Sequence, residues 1–282
     1  MKKITLRKVF LLIFLISIVF VSCKELRINL KKIKSAYKSK ENMGSIDIEY
    51  SNKKPDLKFK KSYDTSGFKK LIKEKYNNSD WIPVERKDSY NNELQLYSED
   101  NVTLTDNIIT ITSKKEYKEN KLYTSGLVES RNAYKYGYFE FNIKFSKGKG
   151  LFPAIWFLPI SGEPLPEIDL FEMIGSEPYT FYGVIHFEKN NIQSSDYFKY
   201  KVSIKDQYSV ALDWKPESIT WYIDDKEIYT TTKSIPQEYM YIIINQAIGG
   251  NWPGNPTDDT VFPNTFEVIP TDISPTLKKG RD

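Results

Sequence analysis

From about residue 92 onward, apolar and polar side chains alternate with a period of two, and no helix of ordinary length interrupts the series. That period belongs to strands, whose successive side chains point to opposite faces. It predicts strands over 107–113, 137–145, 154–158, 168–174, 181–187, 208–214, 219–223 and 241–248, with turn residues between them. Asp224-Asp225-Lys226, set between Trp221-Tyr222-Ile223 and Glu227-Ile228-Tyr229, reads as a hairpin turn. The 20 tyrosines and the 15% aromatic content suit strands as well. The expected fold is all-β: two packed antiparallel sheets of the jelly-roll, concanavalin A-like kind. Ahead of the strands, 67–75 reads as one or two helical turns.

Inside this series lies Pro166-Glu167-Ile168-Asp169-Leu170-Phe171-Glu172-Met173-Ile174-Gly175. On a flat strand Glu167 and Asp169 share a face, while Ile168 and Leu170 point the other way. Glu172 is five positions from Glu167, so strict alternation would bury it with Ile168. A single β-bulge restores the parity and returns Glu172 to the carboxylate face. Three acids crowded on one face raise one another's pKa, which costs stability and serves chemistry. A solvated edge strand with scattered acids would show the same short pattern. Here, however, the acids are embedded among Ala154-Ile155-Trp156-Phe157-Leu158, Leu170-Phe171 and Met173-Ile174. Two carboxyls about 5–5.5 Å apart are the geometry of a retaining glycosidase, one the nucleophile and the other acid then base. An Asp between them can hydrogen-bond the nucleophile and keep the charge states apart.

Composition removes most other chemistries. The chain has one histidine, His186, and one cysteine, Cys23. An internal disulfide, paired-histidine metal sites and CxxC pairs are therefore excluded. GxSxG, GxGxxG and GxxxxGK[ST] are absent. The formal charge of +4 comes entirely from Lys2, Lys3, Arg7 and Lys8, and the remaining 37 basic residues balance 37 acidic ones. No basic face for nucleic acid is indicated.

Those four charges precede an apolar run, Val9–Val21, broken only by Ser17. This is the layout of an export signal. Its end, Phe20-Val21-Ser22-Cys23, resembles a bacterial lipoprotein signal, in which the cysteine is lipidated and becomes the mature N-terminus; an ordinary signal peptide with an incidental cysteine is the alternative. More than one lipid chain gives stable anchoring. The expected organisation is a signal peptide over 1–22, a tether over 23–55 and a folded domain over 56–282. The polar, basic stretch 24–45 reads as flexible, or as a short amphipathic helix through Leu26, Leu30 and Ile33. The protein is expected to be exported and membrane-anchored through Cys23 at the outer membrane or cell surface, or else secreted, and to be monomeric.

From about Asn91 to Pro263 a set of segments occurs in a telling order. They are Asn92-Glu93-Leu94-Gln95-Leu96-Tyr97, Thr124-Ser125-Gly126, Tyr136-Gly137-Tyr138-Phe139-Glu140 and Lys149-Gly150-Leu151-Phe152-Pro153-Ala154-Ile155-Trp156. The acid motif follows, then Tyr182-Gly183-Val184-Ile185-His186, Trp221-Tyr222-Ile223-Asp224 and Asn245-Gln246-Ala247-Ile248-Gly249-Gly250-Asn251-Trp252-Pro253-Gly254. In this order they resemble glycoside hydrolase family 16, specifically its laminarinase-like endo-β-1,3-glucanases. The resemblance implies a jelly-roll sandwich whose concave sheet forms a glycan cleft. It implies Glu167 as nucleophile, Asp169 as its assisting acid and Glu172 as general acid/base. The bulged ExDxxE form is that of laminarinases, agarases and carrageenases, which points away from a strict mixed-linkage lichenase. A hydrolase or transglycosylase of another β-linked polysaccharide, and a non-catalytic glycan-binding lipoprotein, are the competing readings.

The resemblance also implies that Trp156 lies under a sugar ring, with a core tryptophan as the alternative. Trp252, in a glycine-rich loop, is expected to stack on sugar. His186 either faces the acids or plays a structural part. Asn91 and Arg131 match polar cleft positions, whereas Trp214 and Trp221 read as ordinary core or convex-sheet residues. Two departures stand out. The first strand of the family has only a poor counterpart in Lys58-Phe59-Lys60-Lys61-Ser62-Tyr63-Asp64. From about residue 269, Ile269-Pro270-Thr271-Asp272-Ile273-Ser274-Pro275 and the charged tail lack alternation and carry two prolines. The expectation is that the last strand is lost or replaced, with a loss of stability. Many relatives bind a structural Ca²⁺ through an Asp of that strand, so no metal or other cofactor is expected.

Overall fold

The structure is a computed structural model and describes residues 79–88 and 90–281. The export signal, Cys23, the tether, the 67–75 turns and the poor first-strand counterpart lie outside the described residues.

Fifteen strands run through the described residues: β1 (Trp81–Pro83), β2 (Gln95–Tyr97), β3 (Val102–Thr105), β4 (Ile108–Ser113), β5 (Tyr123–Ser125), β6 (Leu127–Phe145), β7 (Leu151–Pro159), β8 (Glu167–Glu172), β9 (Thr180–Lys189), β10 (Ile192–Lys201), β11 (Tyr208–Trp214), β12 (Ile219–Ile223), β13 (Lys226–Thr231), β14 (Met240–Ile248) and β15 (Asn264–Gly280). Thirteen of them form one antiparallel sheet along the path β10-β9-β8-β7-β14-β6-β11-β12-β13, with β1 and β15 also paired to β6, β4 to β15 and β3 to β4. β2 and β5 form a separate parallel pair.

The long strand β6 makes the sheet a sandwich. Its first half pairs with β14 and its second half with β11, so one strand serves both layers. The bend falls at Tyr136 (φ 61°) and Gly137 (φ 137°). A side chain at residue 137 would also place its Cβ 2.5 Å from the Cα of Pro275 in β15, so both the backbone angle and the close approach require glycine. Between the layers lies an aromatic core that includes Phe139, Phe141, Phe157, Phe171, Phe181, Trp214 and Trp221. Full burial of one such side chain contributes about 1.5–3 kcal/mol. Edge-to-face pairs such as Phe171–Phe181 at 4.9 Å and Phe139–Phe157 at 5.2 Å add geometric preference. The fold is the all-β sandwich that the alternation implies. Asp224 and Asp225 adopt φ of 51° and 63°, the left-handed pair that a two-residue hairpin between β12 and β13 needs.

The C-terminus overturns the expectation of a lost strand. β15 runs unbroken from Asn264 to Gly280, pairing with β4 over Asn264–Val268 and with β6 from Phe266 to Gly280. Proline is excluded from a strand with two ladder neighbours, but beyond Val268 this strand has β6 alone, and alternate N–H groups face no partner. Pro270 lies opposite Phe141 and Pro275 opposite Gly137, with a bulge between Pro270 and Asp272. The two partners are four residues apart on β6, so the bulge brings both prolines to the same phase of the ladder. Lost alternation in the sequence therefore reflects an edge strand with a bulge. Other strands also escape the periodicity: the short β1, β2, β3 and β5, the first half of β6 ahead of its bend, and the polar edge strand β10.

Candidate active site

Strand register places the acids. On the outer face of β7 and β14, away from the main core, Trp156, Leu158 and Tyr241 pack with Tyr97, Leu127 and Ile243. Trp156 stands opposite Asp169 of β8, and Ala154 opposite Glu172. On the other side of β8, Glu167 pairs with His186, Asp169 with Val184 and Glu172 with Tyr182. Directly opposite residues share a face, so Glu167, Asp169, Glu172, Trp156, His186 and Tyr182 all project from one surface.

The parity change is where the sequence places it. Against β9 the register shifts between Asp169 and Glu172, and against β7 between Ile155 and Trp156. Leu170 and Phe171 consequently both enter the main core, alongside Ile168 and Met173. One extra residue on β8 thus turns a five-residue separation into a shared face. Gly183 stands opposite the bulge, between Val184 and Tyr182 on β9.

Electrostatics tighten this cluster. His186 Nε2 lies 3.2 Å from Asp169 Oδ2 and 3.9 Å from Glu167 Oε1. Asp169 and Glu172 are buried. Burial pushes the Glu167 carboxyl well above the ordinary carboxylate range; the charges of Asp169 and Glu172 push the same way, and His186 opposes them. Carboxyls so placed disfavour the ionised form of Glu167. Such a set can present one ionised oxygen and one protonated oxygen to the same bond. Ligand-capable atoms of Glu167, Asp169 and His186 lie within 4.8 Å of one another. These are the donor types of a divalent-cation site, although the same atoms already face one another, His186 Nε2 at 3.2 Å from Asp169 Oδ2.

The structure sorts the remaining expected site residues. His186 faces the acids. Trp156 is half-buried on the acid-bearing face rather than in the core between the sheets. Trp252 is half-buried, with its ring edge-on to Tyr182 at 4.9 Å and to Phe152 at 5.2 Å. Since Tyr182 pairs with Glu172, the Trp252 loop comes in beside that acid. Asn91 is exposed and joins the site through its backbone, its carbonyl accepting from Asn251 N–H at 2.9 Å. Arg131 is not brought to the acids. It lies on β6, three strands from β8 or about 14 Å across the sheet, and its Nε donates to the Ser79 carbonyl at 2.6 Å. Trp214 and Trp221 are core residues, as expected.

Other residues of the site lie in the quoted segments 92–97 and 245–254, where the sequence gives them no individual role. Trp156 Nε1 donates to Asn245 Oδ1 at 2.8 Å, and Asn245 Nδ2 donates to the Tyr97 hydroxyl at 2.8 Å. The Tyr97 hydroxyl donates in turn to Glu93 Oε2, as does Gln95 Nε2. Burial raises the Tyr97 hydroxyl well above its usual range, so it keeps the proton it donates. This one-way chain fixes the Trp156 ring from beneath. Further along the face, Arg281 lies 3.7 Å over the Tyr241 ring and reaches Glu129 Oε2 at 2.6 Å. What joins these segments is tertiary pairing, since Asn245 is far in the chain from both Trp156 and Tyr97.

Comparison with known proteins agrees with this geometry. Residues 89–263 match the family model "Glycosyl hydrolases family 16". Over 187 residues the chain is 33% identical to the endo-1,3-1,4-beta-glycanase EglC of Rhizobium meliloti, a match covering 60% of this chain and 40% of that protein. Over 215 residues it is 29% identical to a glucan endo-1,3-beta-glucosidase of Cryptopygus antarcticus, covering 63% of this chain and 79% of the other. Among solved structures, the endo-beta-1,3-glucanase from Pyrococcus furiosus superposes with a TM-score of 0.60 at 28% identity, covering 71% of this chain and 88% of that one.

Proposed function

The chain belongs to the glycosyl hydrolases of family 16, and from that premise we propose that it cleaves internal bonds of a β-1,3-glucan with retention of anomeric configuration. The observation that carries the reading is the bulge in β8, which sets Glu167, Asp169 and Glu172 on one face with His186 against them. The relatives named as β-1,3-glucan hydrolases supply the substrate class.

In this reading the ionised Glu167 attacks the anomeric carbon while Glu172 gives its proton to the departing glycosidic oxygen. A glycosyl ester on Glu167 results, and the leaving chain departs as a neutral alcohol. Glu172, now ionised, takes a proton from water as that water attacks the same carbon; the carbon–Glu167 bond breaks and the product leaves. Asp169, held by His186, modulates the charge on Glu167. Trp156 and Trp252 present aromatic faces and edges to the sugar rings, with the Asn245–Tyr97–Glu93 chain fixing the first.

EglC, named for action on 1,3-1,4-linked glucan, favours mixed-linkage β-glucan as a second substrate. The export signal and Cys23 support a lipid-anchored enzyme at the cell surface. Incubation with laminarin, mixed-linkage β-glucan, agarose and carrageenan, followed by reducing-end assay, tests the reading. Release from laminarin that Glu172→Gln abolishes supports it. Release from agarose or carrageenan alone, or equal activity in Glu172→Gln, contradicts it.

A further inference from the structure

Trp221 lies in the layer opposite the acids, on β12, and is almost fully buried. Packing alone would account for its ring, which meets Phe198 at 5.7 Å and Tyr229 at 5.9 Å. Its indole N–H does something more specific: it donates to the backbone carbonyl of Asp169 at 3.0 Å. That carbonyl stands at the first residue of the bulge, where the ladder with β9 loses register. A bulge disrupts the regular ladder and leaves its extra residue without a ladder partner.

Gly183 supplies an independent observation. It is the residue of β9 that faces the bulge. A Cβ built there would sit 2.6 Å from Trp221 Nε1 and 2.8 Å from Trp221 Cδ1, and 2.3 Å from Phe198 Cε1. The space a side chain would fill is taken by the indole on its way to Asp169. Gly183 has no left-handed φ to explain it, so steric access is what the position demands.

We propose that Trp221 is a positioning residue of the hydrolytic site: its indole N–H, admitted by Gly183, clamps the Asp169 carbonyl and so fixes the bulge that presents Glu172 to the glycosidic oxygen. The inference rests on the hydrolytic function proposed above. Its effect falls unequally on the two glutamates. Glu167 precedes the bulge and is held by regular pairing with His186. Glu172 follows the bulge, and its place depends on the path the chain takes through Leu170 and Phe171. Loosening the clamp should therefore harm proton donation more than nucleophilic attack. Misplacement of a catalytic group by about 1 Å costs on the order of a hundredfold in rate.

The test compares the wild type with Trp221→Phe, which keeps an aromatic ring and removes the N–H, and with Gly183→Ala, which displaces the indole. Two substrates are used: laminarin, and a 2,4-dinitrophenyl β-laminaribioside whose leaving group needs no proton. The value of kcat/KM on the aryl substrate reports bond cleavage alone. The expected result is about a ten- to hundredfold loss on laminarin, carried by kcat with KM unchanged, and less than about a threefold loss on the aryl substrate. Equal losses on both substrates, or no loss in a folded variant, overturn the proposal while leaving the proposed hydrolysis of β-1,3-glucan intact. A wild type inactive on both substrates overturns the proposed hydrolysis of β-1,3-glucan and the proposal with it. Should Trp221→Phe not fold, Gly183→Ala carries the same comparison.

Discussion

His186 Nε2 lies 3.2 Å from Asp169 Oδ2, on a ladder step that also pairs His186 with Glu167. The imidazole thus touches the acid between the two proposed catalytic glutamates and opposes the upward push on Glu167. Replacing His186 by Ala removes that opposition, so the acid limb of the kcat/KM profile should move to higher pH. Asp169→Asn removes one of the charges that raise Glu167, and its acid limb should move to lower pH. A pH series on laminarin checks both; shifts in the same direction would contradict this account of the cluster.

The raised Glu167 also has a stability consequence. Glu167 titrates higher in the folded protein than in the unfolded chain, so the folded form keeps an extra proton between the two values. Stability from that proton is full below the ordinary carboxylate range and is lost as pH rises through the raised value. Glu167→Gln cannot ionise and avoids this loss. The variant should be inactive, yet melt above the wild type at about pH 8, with the difference shrinking towards about pH 4. A lower melting temperature at both values would count against a repulsive, partly protonated cluster.

The chain from Trp156 through Asn245 and Tyr97 to Glu93 predicts a binding defect at a distance. Tyr97→Phe removes the hydroxyl that links Asn245 to Glu93. One buried hydrogen bond contributes about 1 kcal/mol, or about fivefold in an equilibrium. KM for laminarin should rise about fivefold with kcat little changed. A fall in kcat with KM unchanged would remove Trp156 from substrate binding.

β15 should be essential to the sandwich. Deleting residues 270–282 strips the pairing along β6 from Asp272 to Gly280, the packing of Ile273 on the core and the Arg281–Glu129 pair. Loss of at least about 3 kcal/mol is expected, equivalent to a fall of about 6–12 °C in Tm for a domain of this size. A truncated protein that melts with the full chain would show the segment to be dispensable.

Where two faces of a strand differ, the sequence announces the strand. Ala154–Leu158 and Ile219–Ile223 are legible because their neighbours alternate or are wholly buried. Glu172 is legible as a cleft residue because its parity with Glu167 demands a bulge, and a bulge is there. β15 was misjudged because two prolines and a bulge mimic a loop, while the tolerance of an edge strand depends on which neighbour is missing. Trp221 reads in the sequence as an ordinary core or convex-sheet residue, and Gly183 as one position of a strand. Their joint role depends on a contact between layers that no local pattern encodes. Arg131, a polar residue that matches a cleft position, lies three strands from the acids with its Nε on the Ser79 carbonyl, a partner 52 residues away that no local pattern gives.

The stereochemical outcome tests the central claim most directly. Laminarin is mixed with the enzyme and the first reducing ends are followed by proton NMR before they mutarotate. Double displacement through Glu167 and Glu172 predicts the β-anomer first, with the α-anomer growing in afterwards. The α-anomer appearing first would mean a single displacement by water, and Glu167 would not be the nucleophile.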